Sequence, residues 1–389
     1  MRRLAIGFIP LTDAAVLIAC AERGFAAAEG LHLELHREVS WANIRDKVNV
    51  GLLDGAHMLA PLAIASSLGL GHVRVPLVAP FALNLNGNAI TVSNPLYEDM
   101  EQTGEDLGSG PGTARALGQV VRRRQRAGRE PLTFSSVYPF STHSYMLRHV
   151  LAAAGLDPDR DVRLVVVPPP YTVESLRSGL IHGFCVGSPW NSVAVEAGVG
   201  RIALLGSELF SRAPEKVLGV HARFARSEPG VLAQLVRALD ASARWCERPQ
   251  ARDELALLLS EPRHLGLPSD MLARALEGRL NAAGDGAARS DADFLVMHRD
   301  GANRPAPAHA LWIYAQMVRA GQTPFSADAA AQAVRVYATG LYDAALAAAG
   351  GAASVAAAGP APADPVGTRF GTPFTPDDLE GYLARLGTA

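Results

Sequence analysis

Cysteine is scarce in this sequence. Cys20, Cys185 and Cys246 are the only three in 389 residues, an odd and scattered set that excludes both a disulfide scaffold and a Cys-rich zinc site. Net charge is nearly absent too: 36 Lys and Arg residues face 38 Asp and Glu residues, a formal charge of −2. That balance lacks the electrostatic footprint of a dedicated nucleic-acid binder. No stretch approaches the ~20 apolar residues that a membrane-spanning helix needs. There is no Gly-x-Ser-x-Gly elbow, no Cys–His motif and no marked carboxylate pair for acid–base work. What is present is a 49% hydrophobic composition, which excludes global disorder. At about 100–200 residues per domain, the length implies two or three lobes. The chain reads as a soluble, two-lobed globular protein.

Met1-Arg2-Arg3 and the apolar stretch ending at Cys20 resemble a lipoprotein export signal, but Asp13 and Pro10 interrupt the apolar core such a signal requires. The same residues read as mature structure: a strand over Leu4–Pro10, a turn at Leu11-Thr12-Asp13 with a capping carboxylate, and a helix over Ala14–Glu29 stopped by Gly30. Cytoplasmic localisation is therefore expected. Strand and helix signals then alternate, the pattern of a parallel α/β sheet. Strands are predicted at Leu31–Arg37, Gly55–Leu59, Val75–Val78, Ala89–Val92, Leu132–Val137, Arg163–Val167, Gly183–Val186, Ile202–Leu205 and Val217–Val220. Helices are predicted at Trp41–Leu53, after Pro61, at Thr142–Ala154 and at Thr172–Ser178, with a mostly helical remainder. The alternation within 95–212 predicts an inserted lobe; 1–94 and 213–389 make up the other lobe, and the two chain crossings between them form a hinged cleft. Residues 344–365, rich in Ala, Gly and Pro, read as a flexible surface segment. A last short helix is expected to start with Thr375 as its N-cap and Pro376 at its first position.

Several constellations have ordinary explanations. His32, Glu34 and His36 share one strand face, but the opposite face is Leu31, Leu33 and Leu35, so the polar face points to water rather than to a metal. Gly108–Thr113 lacks the ending of a phosphate loop and reads as a loop before a helix. Arg122, Arg123, Arg124, Arg126 and Arg129 cluster at a helix end, where cations complement the dipole.

Other segments place rarer residues at strand ends. Ser40-Trp41 starts a helix directly after a strand, where free backbone N–H groups suit an anion and Trp41 adds an indole N–H. Asn84–Asn88 is a turn-rich run whose amides can face a cleft. Ser141-Thr142-His143 sets a histidine over a second helix start. Gly187 allows close approach of backbone to a ligand, and Lys216 falls at the return crossing between lobes. Each alone has a structural explanation. Together they describe a cleft rich in N–H donors, with one lysine and few acceptors, suited to a small anion.

These runs (Gly7–Asp13, Ser40–Lys47, Leu53–Pro61, Leu83–Val92, Ser141–His143, Gly183–Asn191 and Lys216–Val220) resemble the substrate-binding proteins for nitrate and bicarbonate of ABC transporters. Within that superfamily the chain is most similar to the cytoplasmic nitrate/nitrite sensor of the NasS type. The resemblance implies a periplasmic-binding-protein-like (type II) α/β fold without enzymatic activity or cofactor. It places Trp41, Asn88, His143, Gly187 and Lys216 where the nitrate transporter's binder holds its anion; that binder typically has glutamine at Asn88. It also implies a partner: an ANTAR-type RNA-binding antiterminator, sequestered by the ligand-free sensor and released when nitrate or nitrite binds, with no direct contact to nucleic acid or membrane. The runner-up is the periplasmic substrate-binding subunit of a nitrate, nitrite or bicarbonate transporter. A donor-only site of this kind is expected to discriminate against bicarbonate, which carries a hydroxyl donor.

Overall fold

Ten strands make up most of two sheets: β1 (Arg2–Phe8), β2 (Leu31–Arg37), β3 (Gly55–Leu59), β4 (Leu77–Asn86), β5 (Asn88–Ser93), β6 (Thr133–Ser136), β7 (Arg163–Val166), β8 (Gly183–Gly187), β9 (Gly200–Leu205) and β10 (Pro214–His221). The structure, a computed structural model, describes residues 1–284, 286–348 and 363–387. The first sheet runs β4-β10-β3-β1-β2, with the short strand Leu295–Val296 outside β4; the second runs β7-β6-β8-β5-β9. In the first, β1 is parallel to β2 and β3, whereas β10 is antiparallel to β3 and β4. In the second, β6 is parallel to β7 and β8, and β5 is antiparallel to β8 and β9.

Local sequence explains most of these elements. On β2, Leu31 and Leu33 are buried while His32 and Glu34 are exposed, so the His-x-Glu-x-His face meets solvent. β3 is buried along its whole length, as expected of a strand covered on both faces. Ser40 and Ser141 cap the helices Trp41–Asn49 and Thr142–Ala153, each hydroxyl accepting a backbone N–H three residues on, at 3.2 and 3.1 Å. Such a side-chain acceptor satisfies one of the helix's orphan donors.

Several expectations need correction. The N-terminal helix is not continuous: a 3-10 turn at Thr12–Ala14 precedes the helix Ala15–Glu22, and a second helix covers Phe25–Ala28. Gly24, at φ +80°, makes the break, a conformation glycine adopts without steric cost. Cys20 is buried in the first of these helices. Asp13 caps nothing, because the cap position belongs to Leu11. The helix Trp41–Asn49 is shorter than expected, and the helix Gly110–Arg126 begins inside the expected Gly108–Thr113 loop, with Ser109 as its cap. The Asn84–Asn88 run is mostly strand; the turn is reduced to Asn86 and Gly87, at φ +60° and +97°. Asp378, not Thr375, caps the final helix Leu379–Arg385 by accepting from the Gly381 N–H. In the segment expected to be flexible, the helix Thr339–Ala347 occupies the first residues, and 349–362 lie outside the described residues.

The chain passes between the sheets twice, and the crossings lie side by side. Asn86, the last residue of β4, donates its amide to Ser211 O at 2.7 Å and accepts from Ala213 N at 2.9 Å. Its own N–H reaches Ala213 O at 2.9 Å. The outgoing and returning strands are therefore stitched together where they change sheets. C-terminal helices cover the first sheet: Pro229–Cys246 packs on Ala15–Glu22, and Ala327–Val336 on Ala60–Leu68.

Candidate functional site

Each crossing strand carries a polar residue at its start. Asn88 opens β5, opposite Gly187 at the end of β8. Lys216 lies at the start of β10, beside Leu59 of β3 and Asn84 of β4. The turn after β1 brings Asp13, the helix after β2 brings Trp41, and the helix after β6 brings His143. The site thus lies beyond the carboxyl ends of strands from both sheets, where open α/β sheets bind ligands.

Lys216 is the hub. Its Nζ donates to Asp13 Oδ2 at 2.7 Å and to Glu215 Oε1 at 2.6 Å, and lies 5.4 Å from the centre of the Trp41 ring. Asp13 Oδ1 pairs with His57 Nε2 at 2.8 Å, and the His57 and Trp41 rings are 5.4 Å apart. Glu215 Oε2 accepts from Asn88 Nδ2 at 2.7 Å, while Oε1 stands 3.5 Å from His143 Nδ1. All these residues are buried, Lys216 and His143 completely. Even so, Trp41 Nε1, both ring nitrogens of His143, His57 Nδ1 and Asn88 Oδ1 have no hydrogen-bond partner among the described residues. Buried polar groups are rarely left so, since each costs about 1–3 kcal/mol. Contacts between the two halves seal the site. The Thr12 N–H reaches Ser188 O at 2.8 Å, Trp190 Nε1 donates to Pro10 O at 3.3 Å, and Arg45 Nη1 donates to the Tyr138 hydroxyl at 2.5 Å.

Burial and charge oppose each other here. Burial pushes the Asp13 carboxyl up, but Lys216 and His57 outweigh it and hold Asp13 well below the usual carboxylate range. Burial disfavours the Lys216 ammonium, yet Asp13 and Glu215 more than restore it, so its pKa is raised. For Glu215 burial wins over Lys216 and raises its pKa. His57 and His143 are both pushed down, chiefly by burial, and are neutral. The cluster is an ionised Asp13 and a protonated Lys216 beside a carboxyl whose charge is disfavoured.

All five residues singled out in the sequence, Trp41, Asn88, His143, Gly187 and Lys216, meet in this cluster. The expectation of few acceptors is overturned, because Asp13 and Glu215 both bind Lys216 directly. With it goes the argument that lack of acceptors excludes bicarbonate. Asp13 had a signal, a carboxylate just past an apolar strand. His57 had another, a lone polar residue inside the apolar run Gly55–Leu59. Glu215 had none. Neighbouring residues of a regular strand point to opposite faces, but the register between β10 and β4 shifts between Pro214 and Lys216. The bulge turns Glu215 toward the same ligand space as Lys216. Trp312 belongs to the core, edge-on to Phe210 at 5.2 Å. A separate cavity lined by Ile90, Met100, Leu117, Phe134, Val150 and Leu204 is apolar and lies away from the cluster.

The sequence model of the NMT1-like family matches residues 1–260, two thirds of the chain. The chain belongs to that family. Among curated members, the nitrate/nitrite binding protein NrtA of Synechococcus elongatus is 30% identical over 396 residues, covering 99% of this chain and 86% of the relative. The bicarbonate transport ATP-binding protein CmpC of the same species is 35% identical over 329 residues, covering 83% of this chain and 46% of the relative. The chain spans about half the length of such ATP-binding relatives (46%). The crystal structure of the periplasmic nitrate-binding protein NrtA from Synechocystis PCC 6803 superposes with a TM-score of 0.87 at 27% identity, covering 99% of this chain and 98% of that one. The fold is therefore α/β and periplasmic-binding-protein-like, as the sequence implied.

Proposed function

We propose that this chain binds nitrate or nitrite at the Lys216 cluster and acts in the cytoplasm as a sensor, holding an ANTAR-type RNA-binding antiterminator in its anion-free form and releasing it when the anion binds. The anion reading is carried by one observation: Trp41 Nε1 and both His143 nitrogens are buried beside the protonated Lys216 without protein partners. Nitrate accepts hydrogen bonds and takes no proton at neutral pH, so it suits a lysine, an indole N–H, an imidazole N–H, an amide and a backbone N–H at Gly187. The names of the NrtA relatives favour the same ligand. Release of the partner follows if anion and partner prefer different arrangements of the lobes, each weakening the other's binding by the same factor. The sensor role rests on the likeness to NasS-type proteins and agrees with a near-neutral chain that acts on RNA through a second protein.

The transport proteins among the relatives favour a second reading, the substrate-binding subunit of a nitrate, nitrite or bicarbonate importer. Bicarbonate can place its hydroxyl on Glu215. Pull-down from lysate separates the roles: recovery of an RNA-binding regulator without nitrate, and its loss with nitrate, is the sensor outcome. Partner recovery that ignores nitrate rejects it. Calorimetric titration with nitrate, nitrite and bicarbonate ranks the ligands.

Gly187 provides a finer check. A methyl added there meets Asn88 Oδ1, Asp13 Oδ2 and Leu11 Cδ1, all at 3.5 Å, an ordinary contact distance. The folded chain itself therefore does not demand glycine. Gly187→Ala is expected to leave the melting temperature nearly unchanged and to weaken nitrate binding, because the methyl takes space the anion uses. Unchanged affinity would show that the anion does not approach this backbone.

A further inference from the structure

Two of the donors that the proposed anion needs are already engaged by the protein's own carboxylate. Glu215 accepts from Lys216 Nζ and Asn88 Nδ2, at 2.6 and 2.7 Å, and stands 3.5 Å from His143 Nδ1. A carboxylate and nitrate are both planar, with one negative charge shared over oxygens, and both take charge-assisted hydrogen bonds from such groups. Glu215 therefore occupies two of the five contacts assigned to the ligand and borders a third, His143. It does so because the bulge at the start of β10 turns it there.

Charge sharpens the conflict. Asp13 and an ionised Glu215 outnumber Lys216, so the closed cluster carries one negative charge before any ligand arrives. A second anion in the same buried volume is opposed by both carboxylates. The titratable and charged groups facing Glu215 are Lys216 from its own strand, Asp13 from the turn after β1, His57 from β3, His143 from the helix after β6, Cys185 from β8 and Tyr337 beside β4. Burial keeps the Cys185 thiol and the Tyr337 hydroxyl neutral. Lys216 and His57 hold Asp13 ionised against its burial, whereas at Glu215 burial outweighs Lys216 and Asp13 repels, which leaves Glu215 as the carboxylate free to change state.

We propose that Glu215 is a built-in competitor for the ligand, and that nitrate binds together with one proton, which neutralises Glu215 and turns Lys216 and Asn88 over to the anion beside His143. This deepens the nitrate reading and rests on it. Lys216 stays protonated throughout. The sign follows directly: affinity is highest below the free-state pKa of Glu215, which lies above the ordinary glutamate value, and falls as pH rises through it. The ligand raises that pKa further, so the loss levels off only above the bound-state value.

Nitrate titrations of the intact chain by calorimetry, in buffers of different protonation enthalpy, read the proton directly. The expected result is uptake approaching one proton per nitrate, with affinity falling about tenfold per pH unit between the two pKa values of Glu215. Glu215→Gln keeps the shape but removes the competing charge, so it is expected to bind nitrate with little pH dependence and more tightly than wild type at alkaline pH. Wild-type affinity that is flat with pH, without proton exchange, overturns the inference and leaves the nitrate reading standing. A pH dependence that survives in Glu215→Gln but disappears in His143→Gln also overturns it, assigning the proton to His143. No nitrate binding at any pH removes the nitrate reading and this inference together.

Discussion

Lys216→Ala is expected to abolish measurable nitrate binding and to destabilise the protein at the same time. The ammonium is the only cation within hydrogen-bond reach of Asp13 and Glu215 among the described residues. Hydrogen bonds to a charged group are worth about 1.5–3 kcal/mol, so its loss weakens anion binding roughly 10- to 150-fold. Repulsion from the two carboxylates then adds to that loss. The same carboxylates explain the stability effect. Removing one partner of a buried ion pair leaves uncompensated charge and costs about 3–5 kcal/mol. A binding defect in this variant alone is thus ambiguous, because a wholly buried lysine also carries stability. Lys216→Met combined with Asp13→Asn resolves it: with the ionised carboxylate neutralised together with the ammonium and the volume kept, much of the stability recovers while nitrate binding does not. Urea midpoints report the first property and calorimetry the second. Retention of wild-type affinity in the double variant would place the cationic partner elsewhere.

Asp13→Asn is expected to be similarly destabilising at neutral pH, by about 3–5 kcal/mol, for the converse reason. The carboxylate accepts from Lys216 and from His57 at once; an amide turns an N–H toward one of those donors. The pH dependence identifies the mechanism. Burial would raise the Asp13 pKa, but Lys216 and His57 depress it strongly in the folded state. A depressed carboxyl contributes stability that is fully present above its unfolded value, about 3.9, and is lost as pH falls toward the folded value. The gap between wild type and Asp13→Asn is therefore widest near neutrality. It narrows by about 1.4 kcal/mol per pH unit below roughly pH 3.9. Urea unfolding of both proteins at neutral and acid pH measures it; a gap of constant size across that range means that Asp13 is not held as an anion.

Much of this protein is legible in its sequence. Apolar runs such as Gly55–Leu59 and alternating ones such as Leu31–Arg37 mark strands by period, and Ser40 and Ser141 mark helix starts by cap chemistry, because both signals are local. The placing of Trp41, Asn88, His143, Gly187 and Lys216 came from the resemblance to a family and not from spacing, and the fold brings all five together. Errors gathered where a distant contact outweighed a local preference. Asp13 has the sequence of a cap, but its carboxylate gains more from the ammonium and the imidazole that β10 and β3 bring to it. His57 looks like a stray polar residue until Asp13 stands 2.8 Å from its ring. Composition and pattern determined an α/β chain with a lysine at a crossing between sheets. Only the tertiary structure decided that this lysine is held between two carboxylates, since a one-residue bulge in β10, set by its pairing with β4, turns Glu215 inward where strand alternation would have turned it away.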